Sequence, residues 1–147
     1  MSCDAPRILG TGHAAPAKIR TNDDPIFDWL KENDPEGMEL FKGYDIRHVL
    51  DKGETLTDIM VPAAQSAMTG AGVEPGEIDL LLGDASISEY LTPNAISNLH
   101  QELGLPQRAW PIPLTNSFSQ FGSSVMMADA LIRAGRAKKI LIAFGDN

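Results

Sequence analysis

The sequence predicts an α/β fold built on a mainly parallel sheet. Short apolar runs rich in Ile, Leu and Val recur at residues 7–12, 46–50, 78–82, 110–114 and 139–144. Longer segments with helical start and stop signals lie between them, at 55–68, 92–103 and 118–134. Gly or Pro marks most of the junctions, so strands and helices alternate along the chain instead of clustering by type. At 147 residues the chain is long enough to bury a core as one domain spanning residues 1–147.

Arg7-Ile-Leu-Gly-Thr-Gly12 reads as a short buried strand ending in a glycine turn. Gly10-x-Gly12-x-x-Ala15 has the spacing of a dinucleotide fingerprint, but it runs into Pro16 and Lys18-Ile-Arg-Thr-Asn22, which lacks a helical pattern. A tight turn is the better reading. Residues 22–42 are polar and acidic, with Ile26, Phe27, Trp29 and Leu30 forming the face of a short helix. Ile46-Arg-His-Val-Leu50 reads as a second short strand. Thr55-x-x-Asp58 is a capping-box pattern opening a helix to about Met68, with Gly70 and Gly72 stopping it. Pro62 lies inside that helix and leaves the Asp58 carbonyl without its helical donor, which predicts a kink.

Residues 78–82 form the next buried strand. Thr92-Pro93 predicts a helix start, a capping hydroxyl followed by proline at the first helical position. Ile96, Leu99 and Leu103 then make one apolar stripe, ended by Gly104. Trp110-Pro-Ile-Pro-Leu114 is extended, and Pro111 and Pro113, two residues apart, weaken pairing along the same edge. A helix over 118–134 is closed by Gly135, and residues 139–144 form the last strand, followed directly by Gly145-Asp-Asn147. No segment follows to cover that strand, and an open buried-type strand is a pairing liability, so a partner segment is implied.

Composition narrows the function classes. Hydrophobic residues at 43% and charged residues at 22% are ordinary for a soluble globular protein. A formal net charge of -8 argues against nucleic acid as a partner, which would call for a basic face. No apolar run approaches the roughly 20 residues of a membrane span, and the first residues lack the apolar centre of a signal peptide. Cys3 is the single cysteine, so an intrachain disulfide is ruled out and a reducing cytoplasm is the expected location. His13, His48 and His100 are scattered without carboxylates or cysteines at metal-ligand spacing, so neither a metal nor a bound cofactor is expected. Arg133, Arg136, Lys138 and Lys139 cluster at the end of a helix, where cations complement the macrodipole; a docking patch for an acidic carrier protein or a phosphate is the sharper alternative.

The stretch from Leu114 to Ser124, Leu-Thr-Asn-Ser-Phe-Ser-Gln-Phe-Gly-Ser-Ser, sits where a strand meets a helix. Helix N-termini gather unpaired N–H donors that stabilise a nucleophile or an oxyanion. Ser117 and Ser119 are therefore the candidate catalytic residues, although a serine needs a general base and Thr115, Asn116, Ser117 and Ser119 all suit simple capping.

The order of motifs resembles the N-terminal half of a β-ketoacyl-acyl carrier protein synthase III, of the thiolase-fold superfamily. Ile8-Leu-Gly-Thr-Gly-His-Ala-Ala-Pro16 with Thr21-Asn22 is similar to the family's start, and Gly43-Tyr-Asp-Ile-Arg-His-Val49 to its Gly-Ile-Arg-x-Arg segment. Ala71-Gly-Val-Glu-Pro-Gly-Glu-Ile-Asp79 and Thr92-Pro-Asn-Ala95 resemble the approaches to its second strand and to the helix before the nucleophile. Ala128-Asp-Ala-Leu-Ile-Arg-Ala-Gly135 and Ala137-Lys-Lys-Ile-Leu-Ile142 resemble the nucleophile helix's end and the strand after it. The resemblance implies half of a five-layered αβαβα sandwich, completed by a second half that carries the histidine and asparagine of the active site. It implies acyl-CoA or acyl carrier protein thioesters as substrates, with a complementary C-terminal half or second subunit and a homo- or hetero-oligomer such as a dimer. Counting from Pro93 puts Ser117 at the family's cysteine position; counting from Ala128-Asp129 puts Phe118 there, a side chain that would plug the site. The tip at residues 88–91 corresponds to a loop that shapes the acyl pocket across a dimer. Within this resemblance the chain is either an acylating subunit using Ser117 or Ser119, or a non-catalytic structural or binding subunit.

Overall fold

Leu81 and Leu82 are fully buried and Leu80 nearly so, which places their strand at the centre of the sheet. The computed structural model describes residues 5–34, 36–37 and 42–146; Cys3, residues 38–41 of the acidic stretch and Asn147 lie outside the described residues. In chain order the elements include β1 (Ile19–Thr21), α1 (Asp28–Asn33), β2 (Ile46–His48), α2 (Leu56–Ala71), β3 (Leu80–Ala85), α3 (Ala95–Glu102), β4 (Trp110–Pro113), α4 (Gln120–Arg133) and β5 (Ile140–Gly145). Short 3₁₀ turns occupy Pro25–Phe27, Pro75–Glu77 and Ser117–Ser119. The chain divides into two compact units, residues 15–54 and the remainder.

In the larger unit β3 is flanked by β4 and β5, both parallel to it, in the order β4-β3-β5. The α/β reading with a parallel sheet therefore stands. The connection β3-α3-β4 runs across the sheet one way and β4-α4-β5 runs back the other way. Right-handed crossovers then place α3 and α4 on opposite faces. Contacts agree: α2 packs with α3 and β5, whereas α4 packs on β3 and β5.

The two sheet edges differ chemically. The Leu114 N–H donates to the Gly83 carbonyl at 2.8 Å, so residues 110, 112 and 114 address β3 and Pro111 and Pro113 face outward, as the sequence predicts. On β5, the carbonyls of Lys139 and Gly145 accept from the Asp79 and Ser86 N–H groups, each at 2.9 Å. Alternate residues share a side, so Ile140, Ile142 and Phe144 turn their N–H and C=O groups to the outer edge. Among the described residues no strand pairs with that edge. The Asp79 carboxylate anchors the start of β5 by accepting from the Lys138 and Lys139 N–H groups at 2.7 and 3.1 Å. Burial opposes its ionised form, but those two amides together with the charges of Arg108 and Lys138 outweigh it and hold its carboxyl below the usual value.

Several expectations are corrected. Residues 7–12 form no ladder and no turn; Gly10 and Gly12 lie so close to α2 that an added Cβ would come within 2.5 Å of the Ala67 carbonyl and 2.1 Å of the Ala63 carbonyl. Helix α2 occupies the space beside these glycines, whose lack of a Cβ permits that close backbone approach. The α2 capping box is present as predicted, and Gly72 closes the helix at φ 61°. The helix continues through Pro62 to Ala71, past Gly70. Thr92-Pro93 does not start α3: that peptide bond is cis, and Asn94 is the cap, accepting from the Ser97 N–H at 3.0 Å.

In the unit of residues 15–54, β1 and β2 pair antiparallel, with Arg20 opposite Arg47. The Arg47 guanidinium lies 5.0 Å from the Phe27 ring centre and donates to Asn22 Oδ1 at 2.7 Å. Ile26 and Trp29 are exposed while Phe27 is buried, so those residues do not form one apolar face.

Candidate functional site

The strand-to-helix junction after β4 is held by side chains on both sides of it. Thr115 Oγ1 donates to Asp84 Oδ1 at 3.1 Å, tying the junction to the end of β3. Asn116 Nδ2 donates to Ser123 Oγ on α4. The backbone then makes the 3₁₀ turn Ser117–Ser119 before α4 begins at Gln120, two residues later than the sequence suggests. Ser117 opens this turn and Ser119 closes it.

Ser119 stands at the N-cap of α4 but makes no side-chain cap bond; its φ and ψ of -105° and 4° are not the extended cap geometry. Its hydroxyl donates instead to the Asn116 carbonyl at 3.2 Å. Thr115 and Asn116 are engaged elsewhere, so the capping account is corrected for those three residues. Phe118, the alternative at the family's cysteine position, is fully solvent-exposed. It plugs no pocket within this chain.

Among the described residues no histidine is bonded to the turn. His48 Nδ1 lies 2.7 Å from the Pro16 carbonyl, and His100 Nε2 lies 3.3 Å from the Pro106 carbonyl. His13 is exposed. Among the described residues no cluster of His, Cys, Asp and Glu is able to hold a metal ion, and no helix is long and apolar enough to cross a membrane. The basic cluster is partly neutralised, with Arg133 paired to Asp129 at 2.8 Å and Lys139 to Glu77.

Sequence reasoning missed how the neighbouring loop, residues 86–94, is fastened. Ser88 Oγ accepts from the Ala95 N–H at 2.9 Å, serving the first turn of α3. Glu89 accepts from the Thr57 N–H of α2 and from Asn98 Nδ2 of α3, each at 3.2 Å. Burial disfavours the Glu89 carboxylate, yet the donors of Thr57 and Asn98 more than offset this and hold its pKa below the ordinary value. The loop presents Ile87, Tyr90 and Leu91 to solvent, Leu91 without any cover. An acidic residue a few positions before a helix was the available signal, but its partners on two helices are visible only in three dimensions.

With this geometry in view, the chain was compared with known proteins. No protein-family model matches it. It is 30% identical over 135 residues to a β-ketoacyl-acyl-carrier-protein synthase III of Cereibacter sphaeroides, covering 92% of this chain and 41% of that protein. A Brucella canis protein of the same name matches with the same identity and coverage. The structure superposes on the 3-oxoacyl-acyl-carrier-protein synthase III of Aquifex aeolicus with a TM-score of 0.79 at 25% identity, covering 95% of this chain and 44% of that one. The priming β-ketosynthase of a polyketide biosynthetic pathway gives a TM-score of 0.81 at 25% identity, covering 95% and 41%. OleA of Xanthomonas campestris, at 20% identity and a TM-score of 0.82 over 98% of this chain and 46% of that one, shares the fold. The chain thus spans less than half the length of the curated relatives it matches, and it is a partial, ketoacyl-synthase-III-like domain of the thiolase fold.

Proposed function

We propose that this chain is a ketoacyl-synthase-III-like subunit of an acyl-transfer or condensation system working on acyl-CoA or acyl-carrier-protein thioesters. The observation that carries the reading is the 30% identity running through 92% of the chain. Within that system it acts as a supporting part, without the usual cysteine nucleophile. The 3₁₀ turn between β4 and α4 is made of Ser117, Phe118 and Ser119, which supports that reading. The Ser119 hydroxyl proton is directed to a backbone carbonyl, and no described histidine is bonded to it. A helix end contributes only about 0.3–1 kcal/mol at exposed sites, far too little to ionise an alcohol. Serine acylation would need a base from outside the residues described.

The missing function then belongs to a complementary portion equivalent to the rest of the relatives. Its presence would cover the apolar groups exposed by the 3₁₀ turn and α4, Phe118, Phe121 and Met126. The exposed loop tip with Tyr90 and Leu91 suits contact with a further subunit, giving a homo- or hetero-oligomer in the cytoplasm.

Intact-mass spectrometry tests the assignment. The chain alone, and the chain fused to the remaining portion of the Cereibacter sphaeroides relative, are incubated with acetyl-CoA. Neither should carry an acetyl group on Ser117 or Ser119. An adduct there, lost in Ser117→Ala or Ser119→Ala, would make this chain the acyl acceptor.

A further inference from the structure

The outer edge of β4 is chemically one-sided. In a strand, residues two apart turn their N–H and C=O groups to the same side. Trp110, Ile112 and Leu114 address β3, so positions 109, 111 and 113 carry the outward groups. Pro111 and Pro113 have no N–H to offer, and Ala109 donates its own to the Pro106 carbonyl at 2.8 Å. Three successive outward positions therefore lack a free donor, while the carbonyls of Pro111 and Pro113 still face out. Neither proline sits in a turn or a bulge, because residues 110–113 pair in unbroken register with residues 80–83. Nothing else protects this edge. Trp110-Pro-Ile-Pro113 contains no charged residue, and Trp110 is 69% exposed. An uncharged edge strand with an exposed aromatic is otherwise a template for pairing with another chain.

We infer that Pro111 and Pro113 seal β4 against a second copy of this chain, so that self-association cannot extend the sheet across this edge. The inference goes beyond the proposed function and restricts it: an oligomer has to use another surface, such as the loop tip with Tyr90 and Leu91. A two-fold pair brings the same stretch of both copies together. Here an antiparallel ladder would set carbonyl against carbonyl, with no donor on either side. The Pro111 and Pro113 carbonyls of both copies would lose water without gaining a partner, which is unfavourable. Pairing β4 with the β5 edge of another copy makes only half a ladder. Ile140, Ile142 and Phe144 donate to the proline carbonyls, but their own carbonyls find no donor.

Restoring the donors tests this. Pro111→Val/Pro113→Val and the unmodified chain are compared by sedimentation equilibrium, both carrying Trp29→Phe so that Trp110 is the one remaining indole. Association through β5 or the loop tip is common to both, so the difference between them reports on β4. The double variant should self-associate at least tenfold more tightly. As its concentration rises, Trp110 should lose access to acrylamide, and the amides at positions 111 and 113 should slow at least tenfold in hydrogen exchange. Without the proline replacements, Trp110 should stay equally accessible across the same concentrations. If the double variant melts without a cooperative transition, Pro111→Val and Pro113→Val are read singly, each with a smaller gain in association. Equal association of a folded variant and the proline-containing chain overturns the inference, as does shielding of Trp110 when the proline-containing chain associates. Tighter association with the amides at 111 and 113 still fast would place the new contact elsewhere and overturn it as well. None of these readings involves acylation of Ser117 or Ser119, so this inference and the proposed function fail separately.

Discussion

Glu89 joins more of the molecule than any residue the sequence motifs single out. Its carboxylate accepts from the first turn of α2 and from a side chain of α3, so one charge fixes two helix N-terminal regions and the loop between β3 and α3. Burial works against the ionised form, and the donors prevail, leaving the folded-state pKa below that of an ordinary glutamate. A depressed carboxylate pKa contributes stability that is fully present above the unfolded value and is lost as pH falls through the folded value. Glu89→Gln should therefore destabilise the chain by about 1 kcal/mol at pH 7, with the gap to the unmodified protein closing at an acidic pH below the ordinary glutamate range. Urea unfolding at the two pH values checks this; a gap that persists in acid would show that shape, rather than charge, matters. Ser124 gives the opposite expectation. It is fully buried, and its hydroxyl makes no hydrogen bond among the described residues. Ser124→Ala removes an unpaired polar group and should leave Tm level or raise it, whereas a clear fall in a thermal melt would reveal a bonding partner for the hydroxyl.

At the scale of elements, backbone approach decides what the local pattern does not. Residues 6–12 reach α2 because Gly10 and Gly12 meet Ala63 and Ala67 with no Cβ between them. Gly83 plays the same part within the sheet, where an added Cβ would come 1.8 Å from the Ala143 carbonyl. Gly12→Ala and Gly83→Ala should each cost about 1–3 kcal/mol, read as a fall in Tm, because the obstacles are backbone atoms that cannot swing aside. Helix starts were legible only where the cap is purely local. Thr55 and Asp58 serve each other across one turn, and the capping box forms as written. Thr92-Pro93 carries an equally strong local signal, yet α3 begins at Ala95 because Asn94 caps it and Ser88 reaches back to the Ala95 N–H. The Ser88 contact belongs to the loop's path, which no propensity encodes. Pro111 and Pro113 were legible for a simpler reason: a missing N–H is a property of the residue, whatever the fold around it. Sheet order depends on how segments distant in sequence meet, and the motifs carried no trace of it.

Across the whole molecule, stability is unevenly divided. Buried Leu81, Leu82, Ile96 and Leu99 lie in the larger unit. In residues 15–54, Phe27 is the buried apolar side chain among the described residues, and the strands are three residues each. A two-stranded pair of that size is marginal in water, and a 40-residue unit has little core of its own to offset the entropy of ordering. Surface ion pairs there, Lys18 with Asp51 at 2.9 Å and Arg20 with Asp24 at 3.1 Å, are solvent-screened and add little. The residues 15–54 should accordingly open without unfolding β3. Native-state hydrogen exchange in low denaturant gives the measurement. The β1–β2 amides should exchange through local openings that barely respond to denaturant, while Leu81 and Leu82 exchange only through global unfolding. Phe27→Ala sharpens the contrast, since it removes the buried ring beneath the Arg47 guanidinium and should accelerate exchange at Arg20 and Arg47 by tenfold or more with Leu81 unchanged. Should Leu81 and Arg20 share one opening free energy, and fall together in Phe27→Ala, the chain is a single cooperative body.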